Sequence, residues 1–256
     1  MSSTPASYDH FPGDWSEFVD SRRIVASCTI PSMMRAYGTE KQAKVLDLGC
    51  GGGTWARHLL ANDLAENVVG TDLSEKQVLE ARRLTDEAAL GHRAQFKTEN
   101  CIEMTYDSEF DVVTSVFLLQ DLNKEQFVQA AERVVAALRP GGRAIHMFTG
   151  HNLRNAQTVE YRKRFRIGCT KWPDPAVDGA ELSYAFFQPD GVTEQLSGLT
   201  GHFYSAPFVE KIYRQTVGCT DFRWHCMRLA DEAIEKDGWN FWLPRIDGLL
   251  LFSVTK

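Results

Sequence analysis

Nothing in this chain approaches eighteen consecutive apolar residues, so no helical membrane span is expected. A C-x-x-C pair is also missing. The six cysteines (Cys28, Cys50, Cys101, Cys169, Cys219 and Cys226) form no Cys/His cluster with zinc spacing, so no metal site is expected. Reduced thiols and a cytoplasmic location are the expectation, and Met1 to Asp20 lacks the apolar core of a secretory signal. Positive charge is scarce. Lys and Arg number 28 against 34 Asp and Glu, and the net charge of −6 gives no general attraction for nucleic acid or an anionic membrane. The most basic run, Arg162-Lys163-Arg164-Phe165-Arg166, is short and interrupted and reads as a solvated helix face. Internal repeats and low-complexity tracts are absent as well.

What remains is 256 residues with 43% hydrophobic and 11% aromatic side chains, enough for one large α/β domain with an elaboration and too few for two ordinary enzymes. Residues 1–40 read as a polar leader followed by helical material: Phe18, Arg22, Val25, Ile30, Met33 and Met34 have roughly helical spacing, and Pro31 can open a second helix. From Lys44 the pattern alternates. Strands are predicted at 44–48, 67–71, 94–98, 110–116 and 142–148, with helices at about 54–62, 75–90 and 124–138 between them. Strand, helix, strand, repeated, means a parallel sheet with right-handed crossovers. The rhythm fails after His146-Met147-Phe148. Residues 150–204 hold a basic helical piece, a Pro-rich turn and two strands, Leu182–Gln188 and Val192–Leu199, that read as a hairpin. A helix at 205–217, a strand near 221–228, a helix near 230–237 and a last strand, Leu249–Val254, complete the pattern.

The most informative stretch is Val45-Leu46-Asp47-Leu48-Gly49-Cys50-Gly51-Gly52-Gly53, an apolar run ending in an acid and followed by glycines. A buried strand there delivers the chain into a turn too tight for side chains, where backbone N–H groups can approach a ligand. Some twenty residues on, Val68-Val69-Gly70-Thr71-Asp72 is a second apolar run ending in an acid. A dinucleotide fold shares these features, but its G-x-G-x-x-G/A fingerprint fails at Thr54, the sixth position from Gly49. An acid at Asp47 would also repel a pyrophosphate. A purely structural glycine turn is the second alternative.

Taken in order and spacing, Val45–Gly53, Thr71-Asp72-Leu73-Ser74, Phe110-Asp111-Val112-Val113 and Leu138-Arg139-Pro140-Gly141-Gly142-Arg143 resemble the class I S-adenosylmethionine (SAM) methyltransferases, in their type 11 small-molecule branch, over roughly residues 40–150. Phe117-Leu118-Leu119, the hairpin, Phe203-Tyr204-Ser205 and Trp239-Asn240-Phe241-Trp242 are similar to toxoflavin-biosynthesis methyltransferases and fungal thiomethyltransferases. The resemblance implies a Rossmann-like, doubly wound, seven-stranded sheet, mostly parallel with an antiparallel last strand, under an N-terminal helical lid (1–40). A substrate-covering insert (150–204) would sit within the 41–256 domain.

The resemblance also implies roles. Asp47, Gly49 and Cys50 would face the methionine part of SAM, with Gly51 giving the backbone room. Asp72 would accept the ribose hydroxyls, and Leu73 would lie against the adenine. Asn100-Cys101-Ile102 stands where the family has an acid and a small residue; Asn100 departs from that acid, though its amide oxygen can accept the same adenine hydrogen bond. Phe117 would line the methionine and acceptor side, Arg22 would pair with the SAM carboxylate, and Tyr8 on the leader would fold over SAM. Candidate general bases are His151, Tyr204 and His10, with His146 in the fifth strand a further one. Trp172, Tyr184, Phe186, Phe187, Phe203 and Tyr204 could enclose a flat substrate or form the insert's own core.

The expected activity is methyl transfer from SAM to an O, N, S or C nucleophile of a small, aromatic or heteroaromatic metabolite, in natural-product biosynthesis or detoxification, with S-adenosylhomocysteine as product. A monomer or homodimer is expected. Rival readings are a non-catalytic SAM-binding module, a nicotinamide-dependent oxidoreductase and a methyltransferase acting on a macromolecule. The acidic charge balance, and Thr114-Ser115-Val116-Phe117 where an Asn-Pro-Pro-Tyr motif would stand, argue against nucleic-acid substrates.

Overall fold

Strands buried on both faces need near-continuous apolar runs, and the central strands have them. In a computed structural model describing residues 21–150 and 156–256, apart from the side chains of Ser21 and Arg22, β1 (Gln42–Leu48), β2 (Ala65–Asp72), β3 (Ala94–Thr98), β4 (Phe110–Val116) and β5 (Leu138–Thr149) pair in parallel. The seven-stranded order is β3-β2-β1-β4-β5-β10-β9, with β9 at Asp221–Trp224 and β10 at Leu249–Thr255. β10 runs antiparallel to both its neighbours. The chain reverses direction across the sheet between β1 and β4, which is where ligands lodge in doubly wound folds.

The helices α3 (Thr54–Ala61), α4 (Glu75–Glu87) and α5 (Lys124–Ala137) fall within a few residues of their predicted limits. Each start has a physical cause. Gly53 enters α3 at φ 79°, Ser74 accepts the Gln77 N–H at the head of α4, and Asn123 with Gln126 forms a reciprocal capping box on α5. Apolar side chains from the two faces of the sheet form two large clusters, one including Trp55, Leu59 and Val68, the other Phe127, Val134 and Phe252.

The N-terminal helical material is one continuous run: α1 (Ser21–Ile24), a π-turn (Val25–Thr29) and α2 (Ile30–Tyr37). Pro31 does not break it, because the wide π-turn absorbs the ring. The Ser27 carbonyl, which an ordinary residue at 31 would have satisfied, accepts the Ala230 N–H at 2.9 Å instead. A missing backbone donor thereby ties the N-terminal helix to α8 (Asp231–Asp237).

Pro140-Gly141-Gly142 is an outward bulge within β5, where the predicted strand began only at 142. Leu138 already pairs with Phe110, the next pairing is Arg143 with Val112, and Gly141 sits at φ 77°. The insert is larger than a hairpin. After α6 (Val159–Phe165), β6 (Ile167–Lys171), β7 (Glu181–Phe187) and β8 (Glu194–His202) form a separate antiparallel sheet in the order β6-β7-β8. α7 (Ala206–Lys211) continues into a second π-turn (Ile212–Thr216), and α9 (Trp239–Ile246) follows α8 where no helix was predicted. No helix among the described residues is long and apolar enough to cross a membrane.

Candidate cofactor and acceptor site

A cavity of about 240 Å³ opens at the carboxyl ends of β1 to β5, where a single water needs only ~10–15 Å³ by the same measure. Gly49 and Gly51 come from the turn after β1, Thr71 and Asp72 from the end of β2, and Glu99, Asn100 and Cys101 from the loop after β3. Val116, Phe117 and Leu118 come from the exit of β4 and Thr149 from the end of β5. The small sheet closes the other side. Leu182, Tyr184 and Phe186 of β7 all line the cavity, as the period-2 alternation of a strand requires, while Ala185 and Phe187 point away and are buried.

The glycine turn is held by the acid of the neighbouring strand. Gly51, at φ 51°, donates its N–H to Asp72 Oδ2 at 2.9 Å, and the Ser74 N–H donates to Asp72 Oδ1 at 2.9 Å. The Asp72 carboxylate is therefore fixed at the cavity wall, oriented by two backbone N–H groups. Gly49, at φ 63°, lies close under Leu118, whose Cβ is 3.2 Å from where a side chain on Gly49 would begin.

Asp47 is 2% exposed and does not line the cavity itself. Its Oδ1 accepts from the Thr114 hydroxyl at 3.0 Å, and its Oδ2 has no hydrogen-bond partner among the described residues. Burial pushes its carboxyl up to about 7; the Thr114 hydrogen bond opposes the shift and the nearby Asp72 charge adds to it. An unsatisfied buried carboxylate oxygen is costly unless a cationic ligand meets it. Phe117 is held at φ 58°, unusual for a side chain of its size, with its N–H donated to Met147 O at 2.8 Å and its carbonyl accepting from the Gln120 amide.

The other predicted residues divide. Leu73, Asn100 and Cys101 line the cavity, with the Asn100 amide oxygen already accepting the Ile102 N–H at 3.3 Å. Cys50 and Ile102 do not line it; Cys50 is buried beneath the turn beside Gly70. Burial lifts the Cys101 thiol to about 12, so it is no nucleophile at neutral pH. Tyr8, His10 and His151 lie outside the described residues, as does the side chain of Arg22.

Two of the candidate bases stand elsewhere. Tyr204 is fully buried in the second core cluster, away from the cavity, and its hydroxyl donates to Leu122 O at 2.7 Å. Burial raises that phenol far above its ordinary range, so Tyr204 is a packing residue. His146 is equally enclosed, between Ser115 Oγ at 2.7 Å and the Tyr213 hydroxyl at 3.1 Å, and burial lowers its pKa to about 3. The six aromatics of the insert split in the same way. Tyr184 and Phe186 face the cavity, Phe187, Phe203 and Tyr204 are buried, and Trp172 packs edge-on against Phe203.

Sequence reasoning missed Gln120, Tyr161 and Arg245. Gln120 is 6% exposed, lines the cavity and has an amide oxygen without a hydrogen-bond partner among the described residues. It follows Phe117-Leu118-Leu119 directly, so its neighbourhood carried the only available signal. Tyr161 and Arg245 come from α6 and α9, and nothing local marks them as wall residues.

A methyltransferase-domain profile matches residues 45–142. The ubiquinone biosynthesis O-methyltransferase of Thiobacillus denitrificans (strain ATCC 25259 / T1) is 30% identical over 165 residues, 61% of this chain and 68% of that protein. The chain belongs to the class I SAM-dependent methyltransferases. The chloroplastic tocopherol O-methyltransferase of Arabidopsis thaliana is 34% identical over 108 residues, 41% of this chain and 30% of that protein. The chain thus spans about a third of the length of several curated relatives it matches. In fold it is similar to 1,6-didemethyltoxoflavin-N1-methyltransferase of Burkholderia thailandensis, with a TM-score of 0.53 at 17% identity over 88% of this chain and 76% of that one. SAM is the cofactor of this methyltransferase family, and the donor set fits it: an orphaned buried carboxylate oxygen on Asp47, bare backbone at Gly49 and Gly51, and an anchored carboxylate on Asp72.

Proposed function

We propose that the protein transfers a methyl group from SAM to a nucleophilic O, N, S or C atom of a small, aromatic or heteroaromatic metabolite, releasing S-adenosylhomocysteine. The observation that carries the reading is the unpartnered Oδ2 of Asp47 under the glycine turn, two residues before Gly49. A cationic amino-acid arm satisfies it, whereas a pyrophosphate would be repelled. Bound SAM supplies an already activated methyl group, so no covalent nucleophile is required.

The chain's own residues align and exclude water. Asp72 receives ribose hydroxyls, Leu73 and Cys101 flank the adenine, and Asn100 with its neighbour Glu99 offers acceptors to the exocyclic amine. Phe117 separates cofactor and acceptor compartments, and Tyr184 with Phe186 stacks on a flat acceptor, which supports the aromatic substrate class. Orientation of this kind supplies many orders of magnitude without acid or base chemistry. Where the acceptor carries a proton, Gln120 Oε1 accepts its hydrogen bond in the cavity, and His151, which lies outside the described residues, is the proposed base. The small sheet with α6 is the lid in this reading.

The test is a thermal-shift titration followed by an acceptor screen. S-adenosylhomocysteine should raise the melting temperature and NADH should not. Homocysteine-nucleoside release from a panel of hydroxylated and heteroaromatic metabolites should identify acceptors. Stabilisation by NADH alone would overturn the proposal, and cofactor binding with no turnover on any small acceptor would favour the non-catalytic reading.

A further inference from the structure

Among the described residues that line the cavity, Arg245 is the one cation, and no carboxylate pairs with it. It sits on α9 beside Pro244, is 5% exposed, and donates from Nη1 to the Tyr161 hydroxyl at 3.3 Å. Its guanidinium carbon lies 5.6 Å from the centroid of the Phe117 ring, and its Nε has no hydrogen-bond partner among the described residues. Two other partly buried arginines are answered: Arg23 pairs with Asp237, and Arg143 donates to the Tyr37 carbonyl. Arg245 has only a neutral hydroxyl and a ring face. Taking a guanidinium out of water is costly, and a ring face with one hydroxyl offsets only part of that cost. The carboxylates of Asp72, Glu99 and Asp121 line the same cavity without an ion pair to it.

We propose that Arg245 is an oxyanion-binding residue that takes a carboxylate- or phosphate-type group of a bound small molecule through the forked, two-bond geometry of a guanidinium. The inference rests on the methyltransferase reading of this cavity. The anion has two possible sources: the amino-acid carboxylate of the cofactor, or an acidic acceptor lying against Phe117. In either case Arg245 selects for a negatively charged group in a cavity whose other charges, among the described residues, are negative.

Calorimetry separates the sources. S-adenosylhomocysteine and 5′-methylthioadenosine, which lacks the amino-acid arm, are titrated into wild type, Arg245→Met and Arg245→Lys. Benzoate and phenylphosphonate are then titrated into each protein saturated with S-adenosylhomocysteine. If the cofactor supplies the anion, Arg245→Met weakens S-adenosylhomocysteine at least tenfold and leaves 5′-methylthioadenosine within twofold. If the acceptor does, both nucleosides bind unchanged and Arg245→Met weakens benzoate or phenylphosphonate at least tenfold. Arg245→Lys, which keeps the charge but loses the fork, falls between, and unchanged 5′-methylthioadenosine binding shows that each variant is folded. Equal affinities in wild type and Arg245→Met across all these titrations would overturn the proposal. Failure of wild type to bind either nucleoside would instead overturn the methyltransferase reading.

Discussion

If the cofactor's ammonium docks on Asp47 Oδ2, binding must ionise a carboxyl that the ligand-free protein keeps protonated to unusually high pH. Burial holds that carboxyl near 7, and the ammonium selects its charged form. With only the ionised form competent, affinity falls by a factor of 1 + 10^(7 − pH), about thirty-fold at pH 5.5 and negligible at pH 8. Asp47→Asn removes both the charge and the titration. At pH 8 it should bind S-adenosylhomocysteine more weakly by about 1.5–3 kcal/mol, the worth of a hydrogen bond to a charged group. By pH 5.5 the two proteins should nearly converge. The assay is calorimetry across pH 5.5–8, and the quantity of interest is the ratio of the two affinities, because any histidine titrating nearby cancels from it. A ratio that stays flat would refute the reasoning: either Asp47 is already ionised without ligand, or the ammonium lies elsewhere.

Stability supplies the companion prediction, with a definite sign. The folded pKa of Asp47 lies above its ordinary 3.8, so its contribution is most favourable below that value and is lost as pH rises toward 7. Asp47→Asn should therefore stabilise the ligand-free protein above pH 7, by on the order of a few kcal/mol, seen in urea melts at pH 5 and 8. Asp72→Ala should weaken S-adenosylhomocysteine by about 2–4 kcal/mol, and because Asp72 also anchors Gly51 and Ser74, Asp72→Asn should lose less; calorimetry ranks the two. Gly51→Val should abolish nucleoside binding and also lower the melting temperature, since a β-branched residue at φ 51° is strained; retained affinity would contradict the close approach. Tyr204→Phe should leave the methylation rate unchanged and cost about 1 kcal/mol for the lost bond to Leu122; a large rate loss would return Tyr204 to the mechanism.

The cofactor half of the site was legible because its determinants are local. An apolar run, an acid and a glycine turn within nine residues specify strand, bend and ligand approach together, and Asp72 ends the strand that pairs directly with β1. The acceptor half was legible only in fragments. Alternation along β7 predicts that Leu182, Tyr184 and Phe186 share a face, yet the sequence does not say which face meets the cavity. Tyr204 and Phe203 carry the same aromatic signal and face the core. β6 escaped notice because Ile167-Gly168-Cys169-Thr170-Lys171 is short, interrupted by glycine, and next to a basic helix. α9 escaped because Pro244 lies inside it. In both cases tertiary packing overrode local preference.

The residues at the carboxyl edge of the large sheet contribute the bare backbone at Gly49 and Gly51 and the anchored carboxylate of Asp72. In the proposed reading the residues that tell one acceptor from another are Tyr184, Phe186, Tyr161 and Arg245, which come from the small sheet, α6 and α9, none of which is held by the register of the large sheet. Phe117 joins the two sets: its backbone belongs to the end of β4 and its ring carries Arg245. A left-handed φ at that position turns the ring toward the Arg245 wall, and the Met147 and Gln120 hydrogen bonds hold it there against the conformational cost. Exchange of the 156–204 segment between related chains should therefore change which acceptor is methylated while leaving S-adenosylhomocysteine affinity in place, provided Phe117 is kept. Loss of cofactor affinity in such a chimera would mean that the two halves of the cavity are not separable.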